Sequence, residues 1–471
     1  MRPWLSPCAT RRKPALHAFN QVSPGLEIKV TVVPAPHVRR AGLIITIASL
    51  AVIAFATLLP APGPTVASHF CLVCGSLGGL NAVLNVLLFV PLGVGLALSG
   101  LPGKRAIFAA CLLSALIEAA QFSFIGGRDS TIGDVLTNTL GGALGFAIGR
   151  YARDWLRASP GIARNLAVVW ATIWFVIQVI SSYGFAPTLP DSRYYGEIAR
   201  VFWNFEVFRG RVLSASINDV QIPNTAFADS RAVRRLLLDG ATVAATVVPA
   251  EPTREVAPIV RIADGMKREI VLLAQNRDDL VFGVHTGAEV LRLRPALFGL
   301  PGAFPSRRST DPLAADTLRL SGQYASSTVR MTADSRSATH DRRIPLNASL
   351  GWTLWLPFPW FIEGTRMELI LSWLWLAGLA VPLGYWAVRF DDPLPSEGIV
   401  RRWSPVLLAG LALLSAGLVV VPMAFGLSAA SLRDWLATLA GILIGRGFGA
   451  LGAKLSGKPK PMSVRGEGKR A

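Results

Sequence analysis

Charge is scarce in this chain. Of 471 residues only 16% are Asp, Glu, Lys or Arg, against 52% hydrophobic, and the mean hydropathy is +0.45. That balance excludes an ordinary soluble protein and indicates an integral membrane protein with room for one soluble domain. Cysteine is scarce too: four residues are too few for a disulfide scaffold. No GxSxG, no HExxH and no paired histidines occur, so the common signatures of serine hydrolases and zinc proteases are missing. Acidic residues are outnumbered 29 to 47 by Lys and Arg, for a net charge of +18. The positive residues fall in tails and in loops that flank apolar runs, which is a membrane pattern rather than a nucleic-acid one.

Eight apolar segments approach the roughly 20 residues needed to span a bilayer. They lie near 41–60, 83–100, 105–125, 131–150, 165–184, 366–388, 405–425 and 432–452. The connections 101–104, 150–164 and 389–404 bear Lys or Arg, whereas 61–82 carries no Lys, Arg, Asp or Glu. This predicts both termini inside and residues 61–82, 126–130, about 185–365 and 426–431 outside. The first 40 residues hold Arg11, Arg12, Lys13, Lys29, Arg39 and Arg40 with no apolar core. They read as a basic cytoplasmic tail rather than a cleaved signal peptide.

Within the third and fourth segments sit Glu118, Gln121, Asp134 and Asn138, with Arg128 in the connection and Asn85 on the second segment. Glu118 and Gln121 are three apart and Asp134 and Asn138 four apart, so each pair shares a helix face. A carboxylate at membrane depth is costly and is paired, turned inward or near an interface. Arg128 is the evident partner, able to fork onto a carboxylate. Thr131 followed by Asp134 also resembles a capping box. Two readings fit: a polar clasp that fixes helix packing, or a site that touches a ligand. Cys71 and Cys74, on the outer side, read as a small structural disulfide, with a zinc half-site including His69 or a redox dithiol as alternatives.

Thr131, Asp134, Leu136, Gly141, Gly145 and Gly149 recur, shifted by 300, as Ser431, Asp434, Leu436, Gly441, Gly445 and Gly449. Val90-Pro91-Leu92-Gly93 recurs as Val381-Pro382-Leu383-Gly384. Helices one to four and five to eight therefore read as two parallel copies. The second copy has Leu418, Val421, Ser428 and Thr438 in place of Glu118, Gln121, Arg128 and Asn138. Between helices five and six, short β-rich stretches at 211–222, 241–248, 257–262, 268–275, 279–286 and 327–333 predict an all-β sandwich, with 200–212 as its first strands. Residues 351–361 are aromatic and suggest an interfacial belt. Asp264, Asp278 and Asp279 read as exposed strand-turn residues, with calcium ligation as the alternative. His69 and His285 read as polar surface residues.

Asn81, Asn85, Phe89, Pro91 and Gly93, then Glu118 and Gln121, then Arg128-x5-Asp134-x3-Asn138-x2-Gly141 resemble the VanZ-like family of bacterial membrane proteins over about residues 45–155. That family is associated with lowered susceptibility to glycopeptide antibiotics such as teicoplanin and has no agreed biochemical activity. The resemblance implies the bacterial inner membrane and the cell envelope. Residues 258–287 are similar to a laminin-G or concanavalin-A-like jelly roll, which implies carbohydrate as one ligand class. From Asp191 to Leu350 only Trp203 is a tryptophan, so no broad stacking platform is evident.

The expected architecture is a polytopic α-helical membrane protein of about eight spans, in a 4+4 parallel repeat, with an inserted all-β jelly-roll sandwich. Its parts are a basic tail (1–40), a VanZ-like four-helix unit (41–155), a fifth transmembrane helix (156–185), an extracytoplasmic β-sandwich (186–350), three helices as a degenerate repeat (351–453) and a basic tail (454–471). The polar set Asn85, Glu118, Gln121, Arg128, Asp134 and Asn138 is expected to bind an envelope ligand, a lipid-linked precursor or glycan. No cofactor, metal or nucleic acid is expected, and the partner that composition demands is the lipid bilayer. A hydrolase or transferase acting on a lipid-linked substrate, and a transporter, are the alternatives.

Overall fold

The computed structural model describes residues 35–59, 71–125, 131–202, 205–304, 317–325, 327–336, 338–390 and 405–455. Apolar runs without internal charge fold as helices because only a helix satisfies its own backbone in lipid. The first bundle is α1 (Pro36–Leu58), α2 (Gly78–Leu98), α3 (Gly103–Phe124) and α4 (Ile132–Arg150). A short α5 (Ala152–Leu156) leads to α6 (Pro160–Phe185), after which the chain leaves the helical region. Among the described residues six helices, α1, α2, α3, α6 and two later ones, are long and apolar enough to cross a membrane. α4 has 19 residues, and Asp134, Asn138 and its glycines lower its hydropathy.

The excursion is a sandwich of two six-stranded sheets. Its elements are β1 (Tyr194–Ile198), β2 (Arg211–Ile217), β3 (Val220–Gln221), α7 (Ser230–Leu238), β4 (Thr242–Val248), β5 (Val256–Asp264), β6 (Glu269–Asn276), β7 (Asp279–Val284), α8 (Gly287–Val290), β8 (Leu297–Leu300), β9 (Leu318–Ala325), β10 (Thr328–Asp334), β11 (Thr339–Pro345) and β12 (Phe361–Ile362). One sheet runs β1-β5-β6-β7-β8-β12 and the other β11-β10-β9-β4-β2-β3. Alternation on β4, β9 and β10 turns Val243, Val247, Leu320, Val329 and Met331 into the shared core. The described residues of 200–210 (200–202 and 205–210) are not strand: the Glu206 carboxylate accepts the Arg254 and Glu255 backbone N–H groups, so this segment braces a turn instead. β12 lies beyond 350, because the chain returning to the helices pairs parallel with β8.

The return proceeds through α9 (Arg366–Phe390), α10 (Pro405–Ser415), a π turn (Ala416–Val420), α11 (Val421–Ala424) and α12 (Leu432–Leu455). α9 and α12 complete the six long apolar helices. Trp352 and Trp360 do not form a lipid-facing belt. Trp352 is buried and donates to Ser372 Oγ at 3.0 Å, while Trp360 donates to Glu368 Oε1 at 3.0 Å, pinning the start of α9.

The two copies share their helix register. α2 packs on α4 where Gly141 meets the Val86 carbonyl, Gly145 the Val90 carbonyl and Gly93 the Gly142 carbonyl. α9 packs on α12 where Gly441 meets the Ala377 carbonyl, Gly445 the Val381 carbonyl and Gly384 the Ile442 carbonyl. The offset along each helix is the same in all three pairs. Pro91 and Pro382 lie inside the matching helices. Small residues thus set interhelical distance, as expected without a hydrophobic driving force between helices. α1 and α6 both end on the β-domain side, so the copies are parallel. The β domain occupies the connection between the first and second helices of the second copy.

Any Cβ at these contact glycines collides with backbone, which cannot yield as a side chain can. Gly145→Leu and Gly445→Leu are each expected to destabilise by about 3 kcal/mol or more, the upper range for overpacking. Gly447→Leu, with nothing within 4 Å, should melt like wild type. Thermal unfolding of the three variants in one detergent checks this.

Candidate functional site

The sequence places a run of polar residues at the β-domain end of the first bundle, and helix capping begins their assembly. Thr131 is the N-cap of α4: its hydroxyl accepts from Asp134 N–H at 3.1 Å and donates to Asp134 Oδ2 at 2.8 Å. The backbone N–H of Thr131 donates to Glu118 Oε2 at 2.9 Å, joining α3 to α4. Asn85 Nδ2 donates to Asp134 Oδ1 at 2.6 Å, joining α2. Asn85, Asp134, Thr131 and Glu118 are therefore one hydrogen-bonded chain across three helices. Glu118 is 8% exposed, and Asn85 and Asp134 are part-buried.

The other predicted residues have separate places. Asn138, one turn deeper and 2% exposed, donates to Ser114 Oγ at 2.9 Å, while its Oδ1 has no hydrogen-bond partner among the described residues. Gln121 donates to the Thr57 carbonyl at 2.9 Å and so fastens α3 to the end of α1. Arg128 lies outside the described residues. The Ser114 hydroxyl and the Thr57 carbonyl, the partners of Asn138 and Gln121, carry no sequence signal, since a lone serine in an apolar run fits any helix and every residue has a carbonyl. In the second copy Ser431 and Asp434 repeat the cap, with Ser431 Oγ donating to Asp434 Oδ2 at 2.8 Å. Leu418 and Val421 leave that copy without the third-helix carboxylate and amide.

Above the chain sits the turn closed by the Cys71–Cys74 disulfide, with Cα atoms 5.6 Å apart. The Cys71 carbonyl accepts from Gly133 N–H at 3.3 Å, so this turn covers the start of α4. On its other side the Arg292 guanidinium donates to the Val73 carbonyl, and Leu80 N–H donates to the Arg292 carbonyl at 3.1 Å. Leu80 itself enters the core of the β domain. His69 lies outside the described residues.

Residues 31–153 match the VanZ/LLP1 family model. Over these residues the chain is similar to that family and forms a VanZ-like domain. No curated protein and no solved structure matches the chain. The relay from Asn85 to Glu118 lies wholly within the VanZ-like domain, and the β domain touches that domain through the disulfide turn and the first turn of α2.

The β domain carries its own polar features. An open groove of about 510 Å³ on the outer face of the sheet that contains β4 is lined by Ser216, Asn218, Thr242, Arg319, Ser321 and Asp334, among others. Asp264 holds the β5–β6 turn but is buried rather than exposed, because it turns inward to accept from Met266 N–H, Arg268 N–H and Arg268 Nε. Asp279 holds Gly302 N–H. His285 is not a surface residue: it is 6% exposed, 3.4 Å from the Thr188 hydroxyl, and burial pushes its pKa down.

At the junction with the VanZ-like domain, Thr286 caps α8 and its N–H and hydroxyl both donate to Glu289 Oε2. Burial pushes the Glu289 carboxyl up to about 7, against that hydrogen bonding and with a further upward contribution from the charge of Glu269. The folded state therefore holds a proton that the unfolded state releases near the ordinary carboxyl value. Stability from this group is full below pH 4.5 and falls as pH rises towards 7. The difference in Tm between wild type and Glu289→Gln, measured from pH 5 to pH 8, is expected to move in favour of the variant as pH rises. A pH-independent difference contradicts the assignment.

Proposed function

We propose that this is a bacterial cell-envelope protein of the inner membrane that binds the polar head of an envelope ligand, a lipid-linked precursor or glycan, at its VanZ-like relay. The observation that carries the reading is the chain Asn85–Asp134–Thr131–Glu118 at the β-domain end of the helices, with the buried Asn138 Oδ1 left without a partner one turn below. Intramembrane carboxylates are functional sites by default, and an orphaned buried acceptor fits a ligand that donates a hydrogen bond. Arg128, which the sequence puts between Glu118 and Asp134, suits a phosphate.

Orientation supports an outward-facing site. Lys104, Arg105, Arg150, Arg153, Arg157 and Arg164 gather at the helix ends opposite the β domain, which the positive-inside rule assigns to the cytoplasm. Both termini are then cytoplasmic and the β domain extracytoplasmic. The Cys71–Cys74 disulfide suits that compartment. The resemblance of residues 258–287 to laminin-G and concanavalin-A-like domains, together with the polar groove, favours a glycan contact from the β domain. The family's association with glycopeptide susceptibility points to the same envelope setting. Both relay carboxylates are engaged by donors, which favours holding a ligand over acid–base turnover.

Mass spectrometry of lipids and glycans retained by purified protein tests this reading. Wild type is expected to retain a lipid-linked species that Asp134→Asn loses by tenfold or more, with folding confirmed by an unchanged elution profile. Equal retention by a folded Asp134→Asn protein reduces the relay to a packing clasp.

A further inference from the structure

The second copy is not simply depleted of polar groups; they have changed helix. In the first copy the buried face of α1 reads Ser49, Ile53 and Thr57, and the polar load lies on α3 with Glu118 and Gln121. In the second copy the matching α3 positions are Leu418 and Val421, while the buried face of α6 reads Trp174, Gln178 and Ser182 at the same spacing, with Ser181 beside it. Ile53 packs with Ile117 in one bundle. In the other, Gly417 stands at the place of Ile117 and admits larger groups: a Cβ there would come within 2.5 Å of the Trp174 ring and 3.3 Å of Gln178 Cγ.

Trp174, Gln178, Ser181 and Ser182 are all 0% exposed. Yet Trp174 Nε1, both amide atoms of Gln178 and both serine hydroxyls have no hydrogen-bond partner among the described residues. Buried polar groups in native proteins are almost always paired, and lipid supplies no substitute for water. A row of four such side chains is therefore a site whose partner is not protein. Trp174 and Gln178 lie against Gly417 of the π turn Ala416–Val420, an irregularity frequent at functional sites.

We propose that Gln178, Ser181 and Ser182, with Trp174, form a second polar site that binds a small uncharged hydroxyl compound, either fixed water or the hydroxyl of a lipid. The row has donors and acceptors but no charge, so its ligand must both donate and accept and be neutral. It is also small, because Gly417 lies against Trp174 and any side chain on Gly351 would collide with the Ser181 hydroxyl. The site lies in the other bundle from the relay and does not depend on the reading given for it.

Full-length protein in nanodiscs of phosphatidylethanolamine and phosphatidylglycerol tests this by cryo-electron microscopy, native mass spectrometry and thermal melting. Wild type is expected to show non-protein density within hydrogen-bond distance of the Gln178 amide. Gln178→Leu should lose that density and melt a few degrees lower, because its ligand is gone. A co-purifying diacylglycerol absent from the variant identifies the lipid hydroxyl; density without one identifies water. An empty seam in wild type, with Gln178→Leu melting higher because an unpaired amide has been removed, overturns the proposal. Should Gln178→Leu not fold, Ser182→Ala serves: loss of part of the density supports the site, and no density in either protein refutes it.

Discussion

A polar group inside a bilayer has no water to fall back on, and leaving one unpaired costs on the order of several kcal/mol. The VanZ-like domain is organised by that constraint. Glu118, Asp134 and Asn85 come from three helices; Asn85 bonds Asp134 directly and Asp134 is tied to Glu118 through Thr131, so α2, α3 and α4 share one arrangement at the end that meets the β domain. Gln121 extends the tie to α1 through the Thr57 carbonyl. Each helix is thereby positioned by a directional contact that apolar packing alone does not provide. The glycine contacts then bring α2 and α4 close enough for the 2.6 Å bond from Asn85 to form.

The same glycine register in the second bundle shows that packing and polarity have diverged separately. Backbone contacts of Gly441, Gly445 and Gly384 reproduce those of Gly141, Gly145 and Gly93, and the Ser431–Asp434 cap is retained. The polar side chains have moved from the third helix to the first. Insertion of the β domain follows the same logic: the first copy closes its connection with a disulfide turn, and the second opens it into the sandwich. The two are brought together where Arg292 reaches the Val73 carbonyl, so the domain that would meet a soluble ligand sits directly on the turn that covers α4.

Much of this was legible from sequence. Apolar length gave the helices to within a few residues, and the spacing of Glu118, Gln121, Asp134 and Asn138 identified helix faces that do converge, because a 3.6-residue period leaves few alternatives. Which atom meets which was not legible. Ser114 and Thr57 are ordinary residues in apolar runs, and only the packed register makes them partners. Gln178, Ser181 and Ser182 carry no sequence signal for the same reason. In the β domain, alternation gave β4 and β10, but α7 is too charged to stand out. Residues 200–210 have strand-like composition that Glu206 overrides by bracing a distant turn. A lone histidine carries no burial signal, so sequence alone does not reveal that His285 is buried.

The most direct test of the account is a double-mutant cycle on Asn85 and Asp134, read as unfolding free energy in a single detergent. The bond between Asn85 Nδ2 and Asp134 Oδ1 joins a donor to a carboxylate, and such bonds contribute about 1.5–3 kcal/mol. Asn85→Ala and Asp134→Ala are therefore expected to be non-additive by at least about 1 kcal/mol. Additive losses within a few tenths of a kcal/mol would show that the two side chains do not meet, and the relay on which the site is built would not exist.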